Sequence, residues 1–231
     1  MESLKTYFPF GPPIGYAKLP DELVDDFNKG CDDIIKSKEL SKSLDHSNKL
    51  VGQVDQELLI PADIINKWGK WFGTQIRIYV AEYLDQIYHI PEQNLSGATT
   101  KVKAVQIVNS SQLTVHSAWY IRSFAGDYNP IHIHTDCELT CVGFLKVPDL
   151  SKGHKKNGKI PDGVLEILSS SGPSATAHFE NDRIGFRPKV GNWYLFPANL
   201  RHLVYPFRCD GERRSFSINM NTGIFKKDNE S

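Results

Sequence analysis

Apolar residues recur at steps of three and four in two stretches near the start of the chain. Leu23, Phe27, Cys31, Ile34 and Ile35 follow a Pro-Asp-Glu opening suited to a helix N-terminus, and predict an amphipathic helix over 19–36. Ile65, Trp68, Phe72, Ile76, Tyr79, Tyr83 and Ile87 keep the same step within 61–89 and predict a longer helix, with Gly69 and Gly73 as weak points. Its aromatic stripe reads as core, the face a helix needs when it lies on a sheet. The intervening 37–59 is polar with weak periodicity; it reads as loop or short irregular structure, and no chemistry is assigned to it.

After about residue 101 the pattern changes to short runs rich in Val, Ile, Thr, Tyr and Phe, punctuated by Gly, Pro, Asn and Asp. The runs 103–108, 112–124, 131–134, 139–147, 163–168, 192–196, 202–205 and 213–219 read as strands. Roughly eight antiparallel strands without a long helix between them predict a sandwich or jelly roll, with the helices as a wall on one face. The expected class is therefore mainly β with flanking helices, an α+β arrangement. Residues 1–231 are expected to form one domain, with mainly helical support over 1–100 and the jelly-roll core over 101–226.

Charge and cysteine content narrow the partners. Lys+Arg and Asp+Glu are 27 each, so no net field recruits nucleic acid or an anionic membrane, and a charged ligand must be met by a local cluster. The opening segment lacks a cationic stretch followed by an apolar one, and no apolar run approaches the roughly 18–20 residues of a membrane span. A cytoplasmic protein is expected. Cys31, Cys137, Cys141 and Cys209 are too few and too irregular for a disulfide framework or a zinc knuckle, and read as reduced packing residues. The basic segment 151–159, with Lys152, His154, Lys155, Lys156 and Lys159, reads as a solvated connection; its sharper reading is a lip that meets an acidic substrate.

The most informative segment is Asp127-Tyr-Asn-Pro-Ile-His-Ile-His-Thr-Asp136. On a strand, alternate side chains share a face, so His132, His134 and, if the strand continues, Asp136 point one way, with Ile131 and Ile133 opposite. Two such imidazoles sit about 7 Å apart at Cα, close enough to share one ion. Alone, the His-x-His pair equally suits two packed histidines. A second segment adds weight: a strand ending at Pro197 delivers His202 near the start of the next, where it could close a facial ligand set, the open geometry of non-haem Fe(II). Eleven residues beyond His202 stands Arg213, in a strand whose alternation puts Arg213, Ser215, Ser217 and Asn219 on one face, and Arg214, Phe216, Ile218 and Met220 on the other. A guanidinium pairs bidentately with a carboxylate and a serine hydroxyl can take the remaining oxygen, which makes a receptor for a dicarboxylate tail.

With these residues the chain resembles the Fe(II)/2-oxoglutarate-dependent oxygenases, in particular a group with an His-x-His strand common in phages and marine bacteria and distantly related to prolyl hydroxylases. The likeness is carried by Ser117-Ala-Trp119 through His134 and by 191–219, with less specific similarity at Phe10-Gly-Pro-Pro-Ile14 and Leu19-Pro-Asp-Glu-Leu23. It implies a double-stranded β-helix (jelly-roll, cupin-like) core, His132, His134 and His202 as iron ligands, and Arg213 with Ser215 as the holder of 2-oxoglutarate. It also implies O2 as co-substrate, hydroxylation of a C–H bond, and release of succinate and CO2.

Two departures from the family pattern bear on the site. His134-Thr-Asp136 also spells the commoner His-x-Asp, so Asp136 is an alternative third ligand with His132 displaced; the Asn129-Pro130 lead-in favours the two histidines. Thr140 and Cys141 stand where the family tends to carry Ser-Gly, which alters how closely a ligand approaches that strand. The substrate is expected to be a small molecule or a peptide. Trp119, Tyr120, Tyr128, Trp193 and Tyr194 could line its entrance, with packing the favoured role for each. Two other functions fit the histidines without the arginine: a metal-dependent barrel enzyme that does not use 2-oxoglutarate, and a non-catalytic jelly-roll module.

Overall fold

A computed structural model describes residues 4–7, 12–87, 112–152, 161–168 and 183–223. The strand expected over 103–108 and the basic residues 153–159 lie outside these described residues. Eleven strands are described: β1 Lys5–Tyr7, β2 Ile14–Lys18, β3 Gln56–Leu59, β4 Thr114–Ser123, β5 Asn129–His132, β6 Leu139–Lys146, β7 Leu165–Leu168, β8 Arg183–Phe186, β9 Asn192–Pro197, β10 His202–Val204 and β11 Arg213–Asn221. The helices are α1 Asp21–Lys36, α2 Lys38–Ser43 and α3 Ala62–Ile87. The strands pair antiparallel in a seven-stranded sheet ordered β1-β2-β9-β6-β11-β4-β3 and a four-stranded sheet ordered β5-β10-β7-β8.

The three layers follow from the alternation of side chains along the central strands. On the outer face of the large sheet, Cys141, Tyr120, Trp193, Leu195, Phe216, Ile218 and Met220 pack against Leu23, Phe27 and Cys31 of α1 and Phe72, Ile76 and Tyr79 of α3. The aromatic stripe of α3 is thus core, and Gly69 and Gly73 do not interrupt the helix. On the inner face Val142, Phe144, Tyr194 and Phe196 meet Leu165 and Ile167 of the small sheet, with Ile14 and Leu200 closing the cluster. β6 and β11 lie between the two layers, which explains why both are buried along nearly their whole length.

Two contacts fix how β11 sits. Arg214 reaches outward to α1: Nη2 donates to Asp32 at 2.8 Å, Nε to Glu212 at 2.9 Å, and Nη1 to the Asn28 carbonyl at 3.1 Å. Glu212 also accepts from Arg122 Nε at 2.7 Å, so one carboxylate joins β4, β11 and the helix layer. Beside this clamp, Gly143 leaves room for the ring of Phe216; a Cβ there would overlap the ring. Gly143→Ala is therefore expected to lower folding stability by about 1–3 kcal/mol through overpacking. Denaturant unfolding checks this, and an unchanged midpoint would mean that the sheet relaxes freely.

The structure adds four strands that the sequence pattern did not announce. β1, β2 and β3 come from the first hundred residues and extend the large sheet at both edges, and β8 completes the small sheet. Among the described residues no helix is long and apolar enough to cross a membrane. All four cysteines are free thiols; Cys31 and Cys141 are buried, while Cys137 and Cys209 are partly exposed.

Candidate metal centre

β5 and β10 are neighbours in the small sheet, and His132 and His202 are direct partners across them. His134 lies two residues past the end of β5, where its backbone N–H donates to the Ala198 carbonyl at 2.9 Å and holds the chain against the β9–β10 turn. The three histidines offer ring nitrogens that all lie within 4.8 Å of one another. His132 Nδ1 lies 2.7 Å from the Pro130 carbonyl and His202 Nδ1 lies 2.8 Å from the Leu200 carbonyl. A carbonyl only accepts, so each Nδ1 carries the hydrogen and each Nε2 keeps its lone pair. His134 Nε2 stands 3.2 Å from His202 Nε2.

Burial makes these imidazoles neutral. It pushes His132 below the ordinary range, His134 down to about 4 and His202 down to about 3, the neighbouring histidine rings adding to the effect for the last two. Neutral imidazole is the form that binds metal, so the donor set suits a divalent ion without first losing protons. Asn219 bonds the His134 ring from β11, and Thr140 Oγ1 in turn donates to Asn219 Oδ1 at 2.9 Å. The Thr140 hydroxyl is thereby committed to orienting the site. Asp136 lies outside this cluster: β5 ends at His132, and Asp136 is exposed with φ at 61°. The extended run that would align it with His134 is not sustained.

Across the cavity from the histidines, the large sheet presents Arg213, Ser215, Ser217 and Asn219 from β11. Arg213 is 1% exposed; its Nη1 donates to Ser215 Oγ at 3.4 Å, while Nε and Nη2 have no hydrogen-bond partner among the described residues. Its guanidinium lies 5.0 Å from the centre of the Phe144 ring. Burial without an acid lowers its pKa to about 10, which still leaves a cation at neutral pH. A buried, unpaired guanidinium is costly, and a ligand carboxylate between it and the histidines would satisfy it. The residues thus fit a metal ion and an acidic chelator together.

The cavity between these walls measures about 260 Å³. Val142, Leu165 and Val204 give it an apolar lining, and its far end is formed by Trp119 and Ile121 of β4, Glu57 of β3, and the segment containing His46, Lys49 and Gly52. The assignment of no chemistry to 37–59 is corrected here. That stretch holds α2, a 3-10 turn and β3, and carries Glu57 into the cavity wall. Glu57 is 1% exposed, its Oε2 has no partner among the described residues, and burial followed by the nearby Asp45 pushes its carboxyl up to about 7. Two leucines closing the polar run in Gln56-Glu57-Leu58-Leu59 were the available signal, too short to separate from loop. Of the five aromatics, Tyr120 and Trp193 pack under the helices, Tyr194 packs between the sheets, and Trp119 is buried in the cavity wall. Tyr128 is 43% exposed; its backbone rather than its ring is engaged, in two hydrogen bonds with Gln53.

Residues 117–219 match the family model described as "Putative 2OG-Fe(II) oxygenase", a span that includes all three histidines, Arg213 and Ser215. Among solved structures, a Pseudomonas putida prolyl-4-hydroxylase is similar with a TM-score of 0.55 at 13% identity, over 90% of this chain and 91% of that one. The non-heme alpha ketoglutarate dependent epimerase SnoN from nogalamycin biosynthesis gives 0.50 at 13% identity, over 90% and 77%. An oxidoreductase of the 2OG-Fe(II) oxygenase family from Burkholderia pseudomallei gives 0.38 at 14% identity; this chain covers 55% of its own length there and spans about half, 53%, of that chain. No curated protein sequence matches the chain. At these identities the prolyl-4-hydroxylase and SnoN structures speak for the fold alone, a jelly-roll core with flanking helices.

Proposed function

We propose, for a chain that is a 2OG-Fe(II) oxygenase in its 117–219 core, that His132, His134 and His202 hold the iron while Arg213 and Ser215 hold the far carboxylate of 2-oxoglutarate. The observation that carries this reading is the pairing, in one cavity, of three neutral imidazoles with a buried guanidinium that lacks an acid. The metal alone explains the histidines but leaves Arg213 without a purpose. When bound, Fe(II) with 2-oxoglutarate and O2 supplies the oxidation, converting a substrate C–H to C–OH with release of succinate and CO2.

The chain's own residues bind, orient and shield. His132 and His202 are turned by their Nδ1 bonds to backbone carbonyls, a positioning that also strengthens them as donors. Arg213 fixes the direction of the co-substrate by a charged fork, with the Ser215 hydroxyl at its side. Val142, Leu165 and Val204 line the space between them with apolar surface. A set of three histidines cancels none of the metal charge, so this site is more positive by one carboxylate than a two-histidine site with an acid. The substrate is a small molecule or a peptide, and hydroxylation is the outcome we assign.

Purified protein loaded anaerobically with Fe(II) and 2-oxoglutarate and then exposed to O2 tests this. Succinate is expected to form only when 2-oxoglutarate is present. Oxygen consumption independent of 2-oxoglutarate would support a metal enzyme of another kind, and failure to take up either Fe(II) or Mn(II) would support a non-catalytic module.

A further inference from the structure

The oxygenase reading leaves one buried charge-bearing group of the cavity unused. Glu57 sits on β3, the edge strand of the large sheet, with its backbone fixed on both sides: its N–H donates to Ser47 Oγ at 3.3 Å and its carbonyl accepts from the His46 N–H at 2.8 Å. It pairs across to Ile121 on β4, which pairs with Ser215 on β11, so Glu57 and Ser215 lie in one row. Two strand spacings separate their Cα atoms by about 10 Å. Glu57 lines this end of the cavity, and its Oε2 is buried without a partner among the described residues. Lys49, at the same end, is exposed and forms no ion pair with it there. A buried carboxylate so placed is a fixed acceptor awaiting a donor.

We infer that Glu57 is the residue that recognises the substrate, and that the substrate presents a protonated amine or a guanidinium to it, with the carbon to be oxidised lying between Glu57 and the three histidines. This rests on the oxygenase reading above. Three observations agree with a cationic chain. The cavity, about 260 Å³, is small against the roughly 300–1,000 Å³ of sites for large ligands, so a side chain or a small molecule enters it. Trp119 flanks the route between Glu57 and the metal, its ring 6.3 Å from that of His46 and 5.7 Å from that of His134, and offers a flat apolar face to an alkyl stem or an attached cation. Gly52 leaves the carboxyl its room: a Cβ there would stand 2.7 Å from Glu57 Oε1 and 2.9 Å from Asn129 Nδ2.

The test uses the full chain loaded anaerobically with Mn(II) and 2-oxoglutarate, and the same chain without metal. Binding of Nα-acetyl-L-lysine amide and Nα-acetyl-L-arginine amide is compared by calorimetry with their uncharged counterparts, Nα-acetylnorleucine amide and Nα-acetylcitrulline amide, and with the same residues inside capped pentapeptides. The cationic member of each pair is expected to bind about ten- to a hundred-fold more tightly, the range of one charge-assisted hydrogen bond. Glu57→Gln is expected to bring the ratio near one, and Gly52→Ala, which crowds the carboxyl, to reduce it; Gly52→Ala decides if Glu57→Gln fails to fold. Preference for free amides points to a metabolite, and preference for the peptides to a protein side chain; either supports the assignment. Equal binding of charged and uncharged members, binding of none, or a ratio that survives both variants would overturn it. Binding of 2-oxoglutarate to the Mn(II) protein, measured in the same cell without any amide, reports separately on the oxygenase reading.

Discussion

Replacing Arg213 with alanine will weaken 2-oxoglutarate binding by roughly 30-fold to several thousand-fold, equivalent to about 2–5 kcal/mol. The range is that of a buried charge pair losing one partner. Arg213 is fully enclosed and has two nitrogen groups unpaired among the described residues, so the far carboxylate of the ligand would lose a buried cation that exposed Lys49 does not replace. A second measurement separates this from general damage. Without ligand, the guanidinium burdens the fold, so Arg213→Met is expected to leave the ligand-free protein as stable as before or more so. The wild-type protein should in contrast gain about 2.7 kcal/mol at a 2-oxoglutarate concentration a hundred times its Kd, and the variant almost nothing at that concentration. That gain has a structural source: His132 and His202 lie on the small sheet and Arg213 on the large one, so a co-substrate held between them would join the two layers. Unchanged affinity in Arg213→Ala would sink the assignment. Arg214 is not an equivalent substitute, because its guanidinium is already spent on Asp32, Glu212 and Asn28.

Loss of His202 is the second large effect. His202→Ala is expected to reduce Fe(II) affinity by at least about 100-fold, more than the 10- to 100-fold typical of changes one shell further out. His202 is 2% exposed, is placed directly opposite His132, and has its Nδ1 held by the Leu200 carbonyl, which leaves its Nε2 toward the other rings, 3.2 Å from His134 Nε2. Asp136→Asn provides the contrast. It removes the carboxylate while keeping a residue that tolerates the left-handed backbone at φ 61°, and Fe(II) affinity is expected to change by no more than about twofold. A metal titration that showed the reverse order would make Asp136 the ligand.

Much of this arrangement was legible in the alternation of the chain. Arg213, Ser215, Ser217 and Asn219 share the cavity face because β11 is long and regular through them, and the opposite set, Phe216, Ile218 and Met220, packs under the helices. The approach of His202 to His132 could be anticipated only as a possibility of the loop after Pro197, since pairing between strands seventy residues apart leaves no periodic trace. β3 escaped because four residues are too few to show a period, and with it went Glu57. The ambiguity between His132 and Asp136 arose from an alternation that the sequence continues and the backbone does not: the strand stops at His132, and the residues beyond it follow the β9–β10 turn instead.

The notch at Gly143 has a consequence larger than packing. β11 begins with two adjacent arginines, one facing the cavity and one facing α1, and a slip of one residue in its pairing would simply exchange them. Charge alone cannot distinguish the two alignments. The ring of Phe216 can, because Gly143 opens space for it on the helix side. An apolar contact on the far side of the sheet thereby acts as the alignment key that decides which guanidinium faces the cavity.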